Sequence, residues 1–179
     1  MKVLKKILIV LLSLLLIVIA ASYVVTTSYQ VEREIVIDEP REALFDYLVL
    51  LKNQSAFSKW DKMDPNMKRT EAGTDGQIGF MVGWESEDPN VGKGEQEIIG
   101  IQAGERIDYE LRFVEPFEST DKAYLKLSSV SENQTKVAWG IYGNMPRPYN
   151  LMSLFMSMED MLGPDLDEGL QNLKQLREN

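Results

Sequence analysis

An uninterrupted apolar run near the start of the chain limits what the rest can fold into. Residues 7–25 contain no charged side chain, and only Ser13, Ser22 and Tyr23 interrupt their aliphatic character. As a helix, about nineteen residues span roughly 28 Å, which matches the hydrocarbon core of a bilayer. We therefore predict one transmembrane helix, followed by a separate folded domain.

The charges that flank this run predict its orientation. Lys2, Lys5 and Lys6 precede it, and no acidic residue occurs before Glu32. Basic residues beside a membrane span stay on the cytoplasmic side. We therefore expect a cytoplasmic N-terminus in a single-pass protein of the cell membrane, with residues 29–179 on the extracytoplasmic side.

Two other interpretations of the apolar run stay open. Residues 20–22 are the small residues Ala, Ala and Ser, which resemble the end of a cleavable signal peptide. The apolar core is longer than the roughly 7 to 15 residues usual in such peptides, which favours a retained anchor. The third interpretation is a buried helix of a soluble protein. Either of the first two exports the domain.

The absence of two residue types excludes much common enzymology. The chain has no Cys and no His, which removes disulfides, thiolate nucleophiles, Ser-His-Asp triads and the HExxH metal site. We see no motif that places ligands for a metal ion or a cofactor, and we predict neither. We also predict no catalytic residue, although catalysis stays open.

The charge balance opposes binding to nucleic acid. After residue 6 the chain carries sixteen Lys and Arg against twenty-eight Asp and Glu, a net charge of −12. Such a surface repels phosphate backbones. We divide the chain into residues 1–28, comprising a cytoplasmic tip, anchor and short linker, and one domain at residues 29–179, a usual size for one core.

Hydrophobic periodicity predicts an α+β domain. Alternation of apolar and polar residues, bounded by turn residues, predicts strands at 29–37, 79–84, 93–101, 106–113, 123–127 and 137–141. Acids and a proline at residues 38–40 begin a helix that carries the apolar stripe of Leu44, Phe45 and Leu48. The order is a strand, a helix and then a meander of strands.

The C-terminal region changes to helical periodicity. Leu162, Leu166, Leu170 and Leu173 recur every three or four residues, which predicts a long helix, with a kink or restart at Pro164. Residues 151–162 are apolar on nearly every side, so we expect a helix there that is covered on more than one face.

This order of elements resembles the SRPBCC superfamily, whose members include START-like and birch-pollen-allergen-like proteins. Within it the chain looks like the polyketide cyclase/dehydrase and lipid-transport branch. The resemblance is carried by residues 29–40, 49–66, 106–109 and 155–173. It implies the helix-grip fold, in which a curved antiparallel sheet wraps around a long C-terminal helix and encloses an apolar cavity. It transfers no catalytic motif.

Aromatic residues and methionines are the candidate cavity lining. Aromatic side chains give an apolar wall with a few polar atoms, and methionine adapts to irregular ligands. Some of these side chains are equally well explained as ordinary core. The predicted lining comprises Trp60, Phe80, Trp84, Tyr109, Phe113, Trp139, Met152, Phe155 and Met156.

The sequence thus predicts a membrane-anchored, non-catalytic domain that binds or transports a lipid or another hydrophobic small molecule. One alternative is an enzyme of the cyclase type, in which Tyr109, Tyr124, Tyr142 or a buried carboxylate positions the substrate. Another is a protein-interaction module with a vestigial cavity. A roomy cavity with a buried unpaired acid favours the enzyme, and a closed cavity favours the interaction module.

Overall fold

The computed structural model describes residues 2–179. An apolar helix, α1 (Lys2–Val24), precedes a seven-stranded antiparallel sheet. The strands are β1 (Ser28–Ile37), β2 (Lys68–Ala72), β3 (Met81–Glu85), β4 (Lys93–Gln102), β5 (Arg106–Glu115), β6 (Ser119–Ser131) and β7 (Gln134–Asn144). The other helices are α2 (Arg41–Leu48), α3 (Lys59–Met63) and α4 (Met158–Glu178), with 3-10 turns at Leu51–Ala56 and Tyr149–Leu154.

The sheet is a meander closed by its first strand. Its order is β1-β7-β6-β5-β4-β3-β2, and β1 pairs with β7 from Ser28 opposite Asn144 to Ile37 opposite Thr135. The start of β1, the end of β7 and the turn between β5 and β6 therefore lie at one end of the sheet. We call this the proximal end, because α1 leads into it.

The C-terminal helix supplies much of the core. Leu166, Leu170 and Leu173 of α4 are at most 1% exposed, and the helix lies against β1 and β7. Burying a leucine side chain contributes roughly 1.5 to 3 kcal/mol. A curved antiparallel sheet around a long C-terminal helix is the helix-grip α+β fold, so the predicted fold class is confirmed.

A serine fixes where α4 begins. The Ser157 hydroxyl accepts a hydrogen bond from the Asp160 backbone N–H at 3.0 Å, and Glu159 and Asp160 stand in the first turn, where acids suit the helix dipole. The helix then continues through Pro164 without the predicted restart. The buried leucine face beyond the proline holds the helix against the sheet.

The apolar segment before α4 differs from the prediction. Residues 151–162 do not form one covered helix, because Ser157 has an extended backbone and separates the 3-10 turn Tyr149–Leu154 from α4. Most large apolar side chains of this segment are exposed instead of covered. Strand β2, whose residues are all exposed, was not predicted either.

In the described part of the chain, helix α1 contacts the domain only near its C-terminal end. It is long and apolar enough to cross a membrane, and only 6% of its most apolar 18-residue window is buried. Ser22 near its C-terminal end is the only buried residue of this helix within residues 2–179.

The leucine face of α4 should dominate the stability of the domain. Leu170→Ala should lower the free energy of unfolding by about 2 to 5 kcal/mol, because it removes a buried side chain and leaves a cavity. Leu176→Ala, in the same helix but 45% exposed, should change it by less than about 0.5 kcal/mol. Denaturant unfolding of the full chain in detergent, followed by circular dichroism, measures both. Equal losses would contradict the assigned packing.

Candidate functional site

A cavity of about 380 Å³ lies between the inner face of the sheet, α3 and the first turns of α4. Most of its lining is apolar. The apolar lining residues are Leu51, Trp60, Met67, Val82, Trp84, Val91, Leu111, Phe113, Pro116, Phe117, Ala123, Trp139, Ile141, Met158, Met161 and Leu162.

The position of the cavity follows from where α4 covers the sheet. Leu111 and Phe113 of β5 line the cavity, whereas Ile107 and Tyr109 of the same inward face are buried in the core. On β6, Ala123 lines the cavity and Leu125 belongs to the core. The distal half of the inner face thus packs into the core, partly against the leucines of α4, and the cavity occupies the proximal half.

All three tryptophans of the chain line this cavity. Trp60 and Trp139 pack edge to face with ring centroids 6.1 Å apart. Trp84 meets Phe113 in the same way at 5.7 Å, and its indole N–H donates to the Val91 carbonyl at 3.2 Å. Edge-to-face contacts and a satisfied N–H hold the rings in fixed orientations. The aromatic wall is therefore formed before a ligand binds.

Two glycines make room for these rings. A Cβ at Gly169 of α4 would lie 2.6 Å from Cζ3 of Trp139, and a Cβ at Gly94 of β4 would lie 2.6 Å from Cζ2 of Trp84. Both distances are shorter than any ordinary carbon contact. Glycine at these two positions lets the backbone approach each indole face.

A carboxyl group interrupts the apolar wall near the proximal end. Asp121 of β6 lines the cavity and is 7% exposed. It accepts hydrogen bonds from the Ser119 hydroxyl at 3.2 Å and from the Tyr29 hydroxyl. A Cβ at Gly143 would fall 1.8 Å from its Oδ1, so only glycine fits opposite this carboxyl group.

Burial shifts the acidity of this pair. Burial raises the pKa of Asp121, and hydrogen bonds from Tyr29 and Ser119 oppose that shift. Burial also raises the pKa of Tyr29, and the neighbouring negative charge of Asp121 raises it further. At neutral pH the tyrosine therefore remains a hydrogen-bond donor beside the carboxyl group.

The other polar lining residues mostly satisfy one another. The Gln96 amide donates to Gln54 Oε1 at 3.0 Å, and Arg69 forms an ion pair with Asp61. Among residues 2–179, no group of three or more acidic side chains is placed to hold a metal ion. The site offers an apolar volume with hydrogen-bonding groups at its edge.

The structure places the nine predicted lining residues in three different environments. Trp60, Trp84, Phe113 and Trp139 do line the cavity. Phe80 and Tyr109, at 2% and 1% exposure, are buried in the core outside the lining, because the part of the sheet that carries them packs against other core side chains.

Three of the predicted lining residues lie outside the cavity altogether. Met152, Phe155 and Met156 are exposed on the segment before α4, because the predicted continuous helix is interrupted at Ser157. Ligand contact by any of the nine residues stays a prediction.

Sequence reasoning missed Asp121, Tyr29 and Ser119. A signal was present, since Asp121 shares strand parity with Ala123, Leu125 and Leu127, whose side chains face inward. A charged residue on the inward face of a strand is uncommon and marks a site worth examining.

The raised pKa of Asp121 predicts a pH dependence of stability. The pKa of an unfolded aspartate is roughly 3.9, and the pKa of Asp121 in the folded protein is higher. Protonated Asp121 therefore stabilises the fold at a pH below the unfolded-state pKa, and this stabilisation is lost as the pH rises through the folded-state pKa. The free energy of unfolding of the native chain should therefore fall, relative to Asp121→Asn, as the pH rises above about 4. Denaturant unfolding of both proteins across this range tests it, and parallel curves would contradict it.

Solved structures of low sequence identity share this fold. Norcoclaurine synthase from Thalictrum flavum superposes with a TM-score of 0.61 and 8% identity over 85% of this chain and 94% of its own. A protein from Chromobacterium violaceum superposes with a TM-score of 0.58 and 13% identity over 84% of this chain and 97% of its own. Ara h 8.0201 superposes with a TM-score of 0.52 and 16% identity over 84% of this chain and 95% of its own.

These comparisons concern the fold. A second norcoclaurine synthase structure holds dopamine and hydroxybenzaldehyde, which is a property of that enzyme. No protein-family model and no curated protein sequence matches the chain. At these identities the similarity establishes that the chain has the fold of the helix-grip superfamily.

Proposed function

We propose that this protein is a membrane-anchored, non-catalytic domain that binds or transports a lipid-like or aromatic small molecule, within the polyketide cyclase/dehydrase and lipid-transport branch. The observation that carries the proposal is the cavity of about 380 Å³ with its preformed aromatic wall. Small-molecule sites have volumes of roughly 300 to 1,000 Å³ and are mostly apolar. The cavity is at the lower end of this range, which favours a compact ligand.

The energetics of the cavity favour an amphipathic ligand. Transfer of apolar ligand surface out of water contributes roughly 25 cal/mol per Å². The Asp121 carboxylate has up to about four acceptor positions, and the side chains of Tyr29 and Ser119 and the backbone N–H of Asn144 occupy three of them. A hydroxyl or amino group on the ligand would find an acceptor there, while the rest of the ligand contacts the tryptophans.

Several observations favour binding over the alternatives. The buried carboxyl group of Asp121 accepts hydrogen bonds from Tyr29, Ser119 and the Asn144 backbone, so it is not the unpaired acid expected of a cyclase. Tyr109, Tyr124 and Tyr142 all lie outside the lining. The Tyr124 hydroxyl donates to Glu32. A cavity of this volume also opposes the interaction module with a vestigial cavity.

The membrane part of the proposal rests on α1. The helix is long, apolar and almost entirely unburied, properties that suit lipid surroundings. A domain held at a bilayer would meet membrane-soluble ligands at high local concentration. The three lysines at its start favour a cytoplasmic N-terminus.

Filling the cavity should weaken ligand binding. Ala123→Leu adds apolar volume inside the cavity, whereas Ala43→Leu makes the same change on an exposed position of α2. The probe is N-phenyl-1-naphthylamine, excited through tryptophan, because all three tryptophans line the cavity. Ala123→Leu should lower the affinity about tenfold, or roughly 1.4 kcal/mol, and Ala43→Leu should leave it unchanged. Equal affinities in the two variants would reject the cavity as the binding site.

The orientation can be tested in cells. A reporter that is active only outside the cytoplasm, fused after Asn179, should be active, because the lysines keep the N-terminus inside. Replacing Lys2, Lys5 and Lys6 with glutamine should reduce that activity by mixing the orientations. A reporter that works only in the cytoplasm would show that the proposed orientation is wrong.

A further inference from the structure

The proximal end of the domain exposes an unusual amount of apolar surface. Outside α1, the two most exposed large apolar side chains are Phe155 at 88% and Phe117 at 78%. Phe117 lies in the turn between β5 and β6, and Phe155 follows the 3-10 turn after β7. We call the surface that they form with four neighbours the apolar rim, which comprises Phe117, Tyr149, Met152, Leu154, Phe155 and Met156.

A buried side chain ties the rim to the end of α1. Asn150 has no exposed surface, and its amide donates to the carbonyls of Ser22 at 2.8 Å and Val25 at 2.9 Å. Arg147 donates to the same Ser22 carbonyl at 3.0 Å, and its guanidinium stacks 4.8 Å from the Tyr23 ring centroid. Carbonyls at the C-terminal end of a helix lack partners within the helix. The 3-10 turn supplies these partners.

This junction sets the height of the rim along α1. The rim segment is fixed at the level of residues 22–25, which is the end of the apolar run. If α1 crosses a bilayer, that level is the boundary between hydrocarbon and headgroups, because about nineteen residues match the hydrocarbon thickness. Aromatic and apolar side chains at this depth are partly embedded in lipid.

The cavity opens at the same end. Phe117 belongs to both the rim and the cavity lining, and Met161, another lining residue, is 49% exposed. At the turn that carries Phe117 and at the start of α4, the cavity lining therefore reaches the surface of the protein. A ligand that enters there passes the rim.

We infer that the rim is embedded in the surface of the bilayer that α1 crosses, so that the cavity mouth faces lipid and ligand exchanges between membrane and cavity without passing through bulk water. This inference rests on the proposed function and names the membrane as the source of the ligand. The partner is a lipid surface, because the rim continues the exposed apolar surface of α1.

The charges near the rim indicate which lipids fit. Glu87, Asp88 and Glu118 lie in the loops at the proximal end, Glu115 is the last residue of β5 there, and the domain as a whole is acidic. Such a surface is repelled by anionic headgroups, so apolar insertion has to supply the attraction. Embedding should therefore occur in phosphatidylcholine alone and should weaken when phosphatidylglycerol is added.

Because the chain contains no cysteine, single nitroxide labels can test the depth of the rim in the full chain. The labelled variants are Phe155→Cys and Phe117→Cys, with Val130→Cys as the control. Val130 is 56% exposed but lies at the other end of β6. In phosphatidylcholine vesicles, the ratio of collisions with oxygen to collisions with a water-soluble nickel chelate should be several-fold higher at the two rim positions.

Two outcomes would overturn the inference. Rim labels with the same collision ratio as the Val130 control would show that the rim lies in water. Dipolar broadening between rim labels on two molecules, without contact with lipid, would show that a second copy covers the rim.

A functional measurement separates this inference from the proposed function. Phe155→Asp should slow transfer of N-phenyl-1-naphthylamine from donor vesicles about tenfold, while its equilibrium affinity stays unchanged, because Phe155 is outside the lining. An unchanged transfer rate in Phe155→Asp would contradict the inference that ligand enters past the rim. Embedded rim labels with no probe binding would reject the proposed function alone, and probe binding with rim labels in water would reject the inference alone.

Discussion

The packing of the α4 leucine face against the sheet determines both the core and the cavity. Leu166, Leu170 and Leu173 lie against β1 and β7 and, with Ile107 and Tyr109 of β5, belong to the buried core of the distal half of the sheet. The first turns of α4 line the cavity in the proximal half without filling it. The resulting space is bounded by rings that already pack against one another. Stability and ligand volume thus come from different halves of the same sheet, and a substitution in one half should affect the other weakly.

The sequence predicted the fold class because most periodicities were clear, although it predicted neither β2 nor the break at Ser157. The alternation along β5 is compatible only with a strand, and the leucine spacing of α4 only with a helix. The apolar run before β1 contains no charged residue. The cavity was harder to predict. Phe80 and Phe113 have the same side chain on neighbouring parts of the sheet, yet only Phe113 lines the cavity. Which of them lines the cavity depends on how the helices pack over the sheet, which local sequence does not encode.

The segment at residues 149–156 explains the largest failure of prediction. The prediction assumed that apolar residues are covered by other residues of the same chain, and it therefore assigned this segment to a buried helix. In the structure they are exposed, and a contiguous exposed apolar patch indicates a surface for another partner. Asp121 is the opposite case, a charged residue that is buried. Its carboxyl group lies on the inward face of β6 and forms part of the cavity wall.

The junction between α1 and the domain alters how the proposed anchor would work. Residues 26–28 looked like a short linker, and a flexible linker would let the domain rotate freely above a membrane. Instead, Asn150 caps the carbonyls of Ser22 and Val25, and the Met145 N–H donates to the Thr27 carbonyl at 2.8 Å. With the bond from Arg147 to the Ser22 carbonyl, four hydrogen bonds cross this short connection and leave little rotational freedom. A domain on a fixed tether gains from the high concentration of ligand in the bilayer only if its cavity mouth faces the bilayer. The direction of the mouth therefore matters as much as its distance from the bilayer.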